Sequence, residues 1–203
     1  MSVTKHSLEV WDPLIRLFHW SMFLAVTTAW WAEGRDLQLH IQAGTVLAGL
    51  LMFRMIWGVI GERYALFISF MPSRRALSRH LRALLGFRAE HYPAHTPLGS
   101  LMIYALLLTL LLLVCSGMAL MGLQTGSGVF SGWTDVEFST EIMIQTLHGW
   151  CYTVLGVLVS LHLAGVLFES LLQHRNLIAA MISGKKVLPE DIYFKTLKDK
   201  ENM

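Results

Sequence analysis

Four histidines lie within apolar stretches of this chain, and their spacing suits the ligation of a metal-centred cofactor. His148 and His162 are 14 residues apart in one such stretch. In a helix this separation is about four turns, or about 21 Å of rise, so both imidazoles lie on roughly the same face. His19 and His40 lie near the starts of two earlier apolar stretches. Consecutive spans run in opposite directions, so these two lie near opposite membrane surfaces.

When the histidines are matched by their depth in the membrane, His19 pairs with His162 and His40 pairs with His148. Haem iron takes two axial imidazoles from facing helices, and the core of a helical bundle is where such cofactors are held. The pattern therefore predicts two layers of bis-histidine ligation. Small residues beside the histidines would let a flat macrocycle approach the backbone: Gly44, Gly149, Ala164 and Gly165.

The two cysteines argue against a disulfide framework, a cysteine-ligated metal site and covalent haem attachment. Cys115 and Cys151 both lie in apolar stretches, and no CxxCH motif is present for covalent haem attachment. A disulfide framework and a cysteine-ligated metal site are not expected. Any haem is therefore held by side-chain ligation alone, as haem b.

Two arginines accompany the histidines. Arg16 is one turn from His19, and Arg54 is 14 residues from His40 and so on the same helical face. Haem propionates are anionic, which makes both arginines candidate cofactor-binding residues. The alternative for each is an ordinary arginine whose charged end reaches the membrane surface.

The remaining histidines are interpreted differently. His174 is 12 residues from His162, which places it about 120° away around the helix, at the membrane interface. Together with Asn176 it is a candidate contact for a quinone near the inner haem. We expect solvent-exposed or headgroup positions for the histidines outside the apolar stretches, which are His6, His80, His91 and His95.

Composition indicates an integral membrane protein. Apolar residues make up 54% of the 203 residues and charged residues only 15%, against about a quarter charged in soluble domains. The mean hydropathy is +0.51. A net charge of +2 is too small to indicate nucleic-acid binding. Stretches long enough to cross a bilayer predict four transmembrane helices, at 14–31, 39–60, 98–121 and 143–172.

The predicted fold is all-α, an integral membrane four-helix bundle with haem b in its core. Residues 1–186 form this domain, with an interfacial amphipathic helix at about 73–85, and residues 187–203 form a polar cytoplasmic tail. The first span lacks a small-residue cleavage site, so we expect it to be retained. Basic residues concentrate between the second and third spans and in the tail, which predicts cytoplasmic termini.

Several segments of the chain resemble those of a known protein family. The segments VWDPLIRLFHW, LHIQAG, HTPLG, LHGW and SLHLAGVLFESLLQHRNLIAAMISGKK are similar to those of the bacterial cytochrome b561 family, which includes the b-type cytochrome subunits of nickel–iron hydrogenases. The resemblance covers about residues 10–186. It implies four transmembrane helices, and electron exchange between quinone and another redox protein or a small acceptor. It also implies two b haems, with the ligands His19, His40, His148 and His162.

The expected function is electron transfer between the quinone pool and a redox partner in a respiratory chain of the bacterial inner membrane. A c-type cytochrome or an oxidoreductase subunit would be that partner, and the sequence leaves a homodimer open. One alternative is a membrane-anchor cytochrome subunit of a larger oxidoreductase such as a hydrogenase. Another is a histidine-lined metal transporter, although the metal site of such a protein requires ligands that converge at one depth in the membrane.

Overall fold

The chain divides into two compact units, each built from several stretches of sequence. The computed structural model describes residues 6–88, 90–92, 94–133 and 136–201. Phe18–Ile56 and Tyr104–Ser160 form one unit, which we call the bundle unit. The residues up to Leu17, Trp57–Ile103 and those from Leu161 onward form the other, which we call the terminal unit because it holds both ends of the chain.

Long helices occupy all four of the predicted spans, and a shorter helix occupies the predicted amphipathic segment. In chain order these are α1 (Pro13–Ala32), α2 (Leu37–Ile60), α3 (Arg74–Leu85), α4 (Pro97–Thr125) and α5 (Phe138–Leu172). The predicted helical character of the chain is therefore confirmed, with helix ends within a few residues of those expected.

Short polar side chains fix where these helices begin. Asp12 accepts a hydrogen bond from the Ile15 amide at 2.9 Å, and Ser73 accepts one from the Ala76 amide at 3.1 Å. Each contact satisfies an amide that has no partner within its own helix. The same contact is made at Asp36, Thr96 and Asn176.

The bundle unit has an apolar core and an apolar outer surface. Six buried side chains from its four helical segments form the core, namely Met22, Ala25, Leu47, Leu51, Leu110 and Leu155. Large apolar side chains also face outward, such as Leu24 and Val157, which are 66% and 56% exposed. A surface of this kind is stable against lipid tails and unfavourable in water.

Three of the described helices are long and apolar enough to cross a membrane, namely α2, α4 and α5. Helix α1 has 20 residues but is not among them, because Arg16, His19 and three tryptophans lower its hydropathy. The prediction of four membrane spans is thus supported for three helices, and the first span stays a prediction.

The terminal unit contains a small sheet that the sequence analysis did not predict. Strand β1 (His6–Glu9) pairs antiparallel with β2 (Lys185–Leu188), with Glu9 opposite Lys185. Leu8, Val10 and Leu188 form its buried core. Helix α6 (Leu177–Ser183) precedes β2, and α7 (Glu190–Glu201) follows it. The segment expected to be a polar tail, 187–203, therefore carries the end of β2 and helix α7, and its residues 202 and 203 lie outside the described part of the chain.

Candidate functional site

His40 on α2 and His148 on α5 lie together in the bundle unit. Their ring centroids are 6.2 Å apart and the ring planes meet at 75°. Both side chains are half-buried. The structure thus brings together two histidines that the sequence analysis paired by depth.

The hydrogen bonds of the two rings determine which nitrogen is available to a metal. Nδ1 of His40 lies 3.0 Å from the carbonyl oxygen of Ala29. A carbonyl can only accept, so Nδ1 of His40 carries the proton and donates it. The neutral ring then has its lone pair on Nε2, the form in which a histidine can ligate a metal.

The same holds for His148. Its Nδ1 lies 2.9 Å from the hydroxyl oxygen of Ser116, which is buried on α4. That hydroxyl is 2.7 Å from the carbonyl of Leu112 and 3.0 Å from that of Leu113, so its single proton is donated within the helix. The Ser116 oxygen therefore accepts from Nδ1 of His148, and Nε2 is again left as the ligand.

The spacing and the surroundings also fit a haem iron between the two rings. Two metal–imidazole bonds of about 2 Å each, with the two ring radii added, span about 6 Å. A side chain added at Gly44 or Gly149 would meet nothing within 4 Å, so there is open space beside both histidines. Gly117 is different, since a Cβ there would lie 3.1 Å from Cε1 of His148. A small residue at that position lets α4 approach the ring closely.

Ser116 and the Ala29 carbonyl were missed by the sequence analysis. The visible signal for Ser116 was a small polar residue followed by Gly117 in an otherwise apolar span. Serine in a membrane helix is usually satisfied by its own backbone, so the residue type alone does not identify a histidine partner.

The other predicted ligands fall in different units. His19 is half-buried in the bundle unit, with its ring centroid 5.3 Å from that of Trp20. His162 is half-buried on the part of α5 that belongs to the terminal unit. The pairing of His19 with His162 therefore stays a prediction.

The two arginines have different surroundings. Arg54 is 5% exposed in the bundle unit and interacts electrostatically with Tyr104. Arg16, in the terminal unit, donates a hydrogen bond from Nη1 to the Ile182 carbonyl at 2.6 Å, at the end of α6. Their predicted contact with haem propionates is not tested by these positions.

The expectation of a solvated His80 was wrong. His80 is 1% exposed, and it lies between two carboxylates of the terminal unit. Its Nε2 is 3.3 Å from Oε1 of Glu169, and its Nδ1 is 3.5 Å from Oε2 of Glu90. We call these three residues the His80 cluster. Helical periodicity located α3 correctly, but it could not show that this polar residue would be covered by segments distant in sequence.

Neighbouring polar groups extend the His80 cluster. The Tyr92 hydroxyl donates to Oε2 of Glu90 at 2.6 Å, and Gln173 donates to Oε2 of Glu169 at 2.9 Å. Burial, and then the Glu90 carboxylate, raise the pKa of the Tyr92 hydroxyl, which keeps it a donor. These contacts stabilise the two carboxylates around the imidazole.

Within the described part of the chain, no three histidine, cysteine, aspartate or glutamate side chains converge as they would around a bare metal ion. A haem needs only two axial imidazoles, and the His40 and His148 rings match that requirement.

Comparison with known proteins agrees with this chemistry. Residues 10–184 match the family model described as prokaryotic cytochrome b561. The chain is 23% identical to a probable Ni/Fe-hydrogenase B-type cytochrome subunit of Rhizobium leguminosarum bv. viciae, over 93% of this chain and 92% of the relative. It is 24% identical to the protein of the same name from Azotobacter vinelandii, over 91% and 90% of the two chains.

No solved structure matches the chain significantly. The family match alone spans most of the sequence, including all four predicted ligands. The chain therefore belongs to the prokaryotic cytochrome b561 family, and this membership implies a membrane helical bundle that carries haem b.

Proposed function

We propose that this chain is a di-haem b-type cytochrome that transfers electrons between the quinone pool and a partner oxidoreductase at the bacterial inner membrane. The observation that carries the proposal is the pair formed by His40 and His148, each with Nδ1 held by an acceptor and Nε2 left for iron. Haem b, when bound, supplies reversible one-electron transfer at its iron.

The second haem is proposed from the depth pairing of His19 with His162 in the sequence. His19 and His162 are half-buried histidines of long apolar helices, and ionisable residues within membrane helices usually serve a function. Arg16 and Arg54 are the proposed partners of propionates. For Arg54 the support is its position 14 residues from His40, on the same helical face.

The partner is proposed from the relatives. Those compared are named as cytochrome subunits of a nickel–iron hydrogenase, and they match this chain over most of its length. A hydrogenase or a similar oxidoreductase would pass electrons to the haems, and a quinone would remove them. All four long helices span the membrane in this proposal, with both termini on the cytoplasmic side, as the basic residues of the second loop and the tail indicate.

The test is a count of haems in the purified protein and its variants by pyridine haemochromogen assay. We expect two haems in the parent and one in each of His148→Ala and His162→Ala. His174→Asn is the matched control, because His174 is exposed, has a φ of 50° that asparagine tolerates, and should leave both haems bound.

A single haem in the parent protein would contradict the pairing. Electron transfer is checked on the same samples by reducing the haems with dithionite, removing the excess, adding a soluble quinone and following oxidation of the haem bands. If dithionite reduces both haems but the quinone oxidises neither, the protein is a cytochrome and the quinone assignment is wrong.

A further inference from the structure

A cavity of about 490 Å³ lies in the terminal unit, beyond the end of α5. The turn after α5, helix α6 and strand β2 line it. Its size lies within the range of small-ligand pockets in proteins. Its lining includes His174 and Asn176, the candidate quinone contacts in the sequence.

The lining of this cavity is cationic. Arg175, Lys185 and Lys186 contribute positive charge, His174 can add a further one, and Glu190 is the acidic lining residue. Such an excess of cations over anions attracts a negatively charged ligand.

Two of these cations have backbone partners; Lys186 is buried and Arg175 is half-buried. Nζ of Lys186 donates to the carbonyls of Tyr92 at 2.9 Å and of Ala94 at 3.3 Å, and Arg175 donates to the carbonyl of Val187. Burial lowers the pKa of Lys186 to about 8, and Glu169 only partly opposes this shift. Burial also lowers the pKa of Arg175. An anion in the cavity would compensate both charges.

Apolar side chains stand exposed around the cationic lining. Leu171 at the end of α5 is 74% exposed, and Ile182 on α6 is 60% exposed. Ile178, also on α6, is 44% exposed. Basic groups next to exposed aliphatic groups, directly after a transmembrane helix, are typical of a segment at the boundary of headgroups and acyl chains.

We propose that this cavity binds the headgroup phosphate of an anionic phospholipid, whose acyl chains lie in the bilayer beside α6. Arg175 and Lys185 contact the phosphate, and Lys186 contributes charge from behind. The apolar surroundings favour a lipid over a soluble phosphate. The cationic lining favours a lipid over an uncharged quinone, although His174 and Asn176 were candidate quinone contacts in the sequence.

The experiment uses the haem-loaded full chain, delipidated by detergent exchange and titrated with dioleoyl phosphatidylglycerol or dioleoyl phosphatidylcholine. Native mass spectrometry reports the bound lipid. We expect preferential binding of one phosphatidylglycerol. Lys185→Gln should weaken it about fivefold and Lys185→Glu about 25-fold, since each unit of charge near an anionic headgroup changes affinity about fivefold. Lys185 is exposed, so Lys185→Gln should not affect folding. Lys185→Glu would face Glu9 across the sheet, so its fold is checked by circular dichroism.

Arg74→Glu is the matched control, because Arg74 is an exposed cation on the amphipathic helix α3, outside the cavity. Its binding of phosphatidylglycerol should equal that of the parent. Equal loss in Arg74→Glu and Lys185→Glu would overturn the site in favour of general surface charge. Equal binding of the two lipids would overturn the charge argument. Displacement by millimolar inorganic phosphate would assign a soluble anion instead, and displacement by a soluble quinone would assign the cavity to quinone.

Discussion

The bundle unit and the terminal unit both enclose histidines, but the partners of these histidines differ in charge. At His40 and His148 the partners are a carbonyl and a hydroxyl, and each occupies only Nδ1. At His80 the partners are two carboxylates, which face both ring nitrogens. The first arrangement leaves a lone pair on Nε2, whereas the second leaves neither nitrogen to a metal.

This difference shows why the depth of a histidine is not enough to assign its role. His80 is more deeply buried than either His40 or His148, yet its two ring nitrogens lie within 3.5 Å of carboxylate oxygens. A buried ion pair depends on both of its members, while a haem ligand depends on an acceptor that orients it. The two units should therefore respond differently to substitution.

The largest effect is expected in the terminal unit, for His80→Leu. Removing the imidazole takes away the ring nitrogen that lies 3.3 Å from Oε1 of Glu169, whose side chain is only 12% exposed. We expect the free energy of unfolding to fall by about 3 kcal/mol, as when one partner of a buried pair is removed. Detergent-induced unfolding followed by circular dichroism measures this, and the visible haem spectrum below the transition should not change.

Arg79→Gln is the control for that substitution. Arg79 also pairs with Glu90, at 3.6 Å, but its side chain is 67% exposed, so the loss should be below about 1 kcal/mol. A haem spectrum altered in His80→Leu but not in Arg79→Gln would break the comparison, because His80 would then act on a cofactor.

The second prediction concerns Ser116→Ala in the bundle unit. Without the hydroxyl, Nδ1 of His148 loses its acceptor, and the affinity of one haem should fall about 10- to 100-fold. Transfer of haem to apomyoglobin measures this, with one of two kinetic phases accelerated. Thr109→Ala is the matched control on α4, since the Thr109 hydroxyl is buried and bonds to the Ala105 carbonyl at 2.9 Å. Similar rates in both variants would show that Ser116 does not support a ligand.

The smallest expected effect is a pH dependence of the stability of the terminal unit. Burial lowers the pKa of Lys186 from 10.5 to about 8, so between these values the unfolded state binds more protons than the folded state. Stability attributable to this lysine therefore rises with pH in that window, by about 1 kcal/mol from pH 8 to pH 9. The comparison is with Lys186→Met, in which Glu169 and Arg175 are unchanged. Identical pH slopes for the parent and Lys186→Met would refute the effect.

The sequence alone was sufficient to locate the long helices and α3. Span length is set by the bilayer, and helix starts are set by local capping residues such as Asp12 and Ser73, so both can be recognised within one segment. Helix α5 starts at Phe138, five residues before the expected position. Its first turn includes Glu141, whose negative charge is favourable at a helix N-terminus. The helix therefore extends beyond the apolar run.

The pairing of β1 with β2 was not predicted, because it joins residues at opposite ends of the chain. Contacts of the histidines with residues of distant segments were likewise not predictable from the sequence. Spacing alone matched His40 with His148 by depth, because helical rise is a property of a single segment. Only the tertiary structure decided that Ser116 would hold the ring of His148, and that Glu169, 89 residues from His80, would face it. A side chain's protonation and ligand capacity depend on the groups that other segments bring to it.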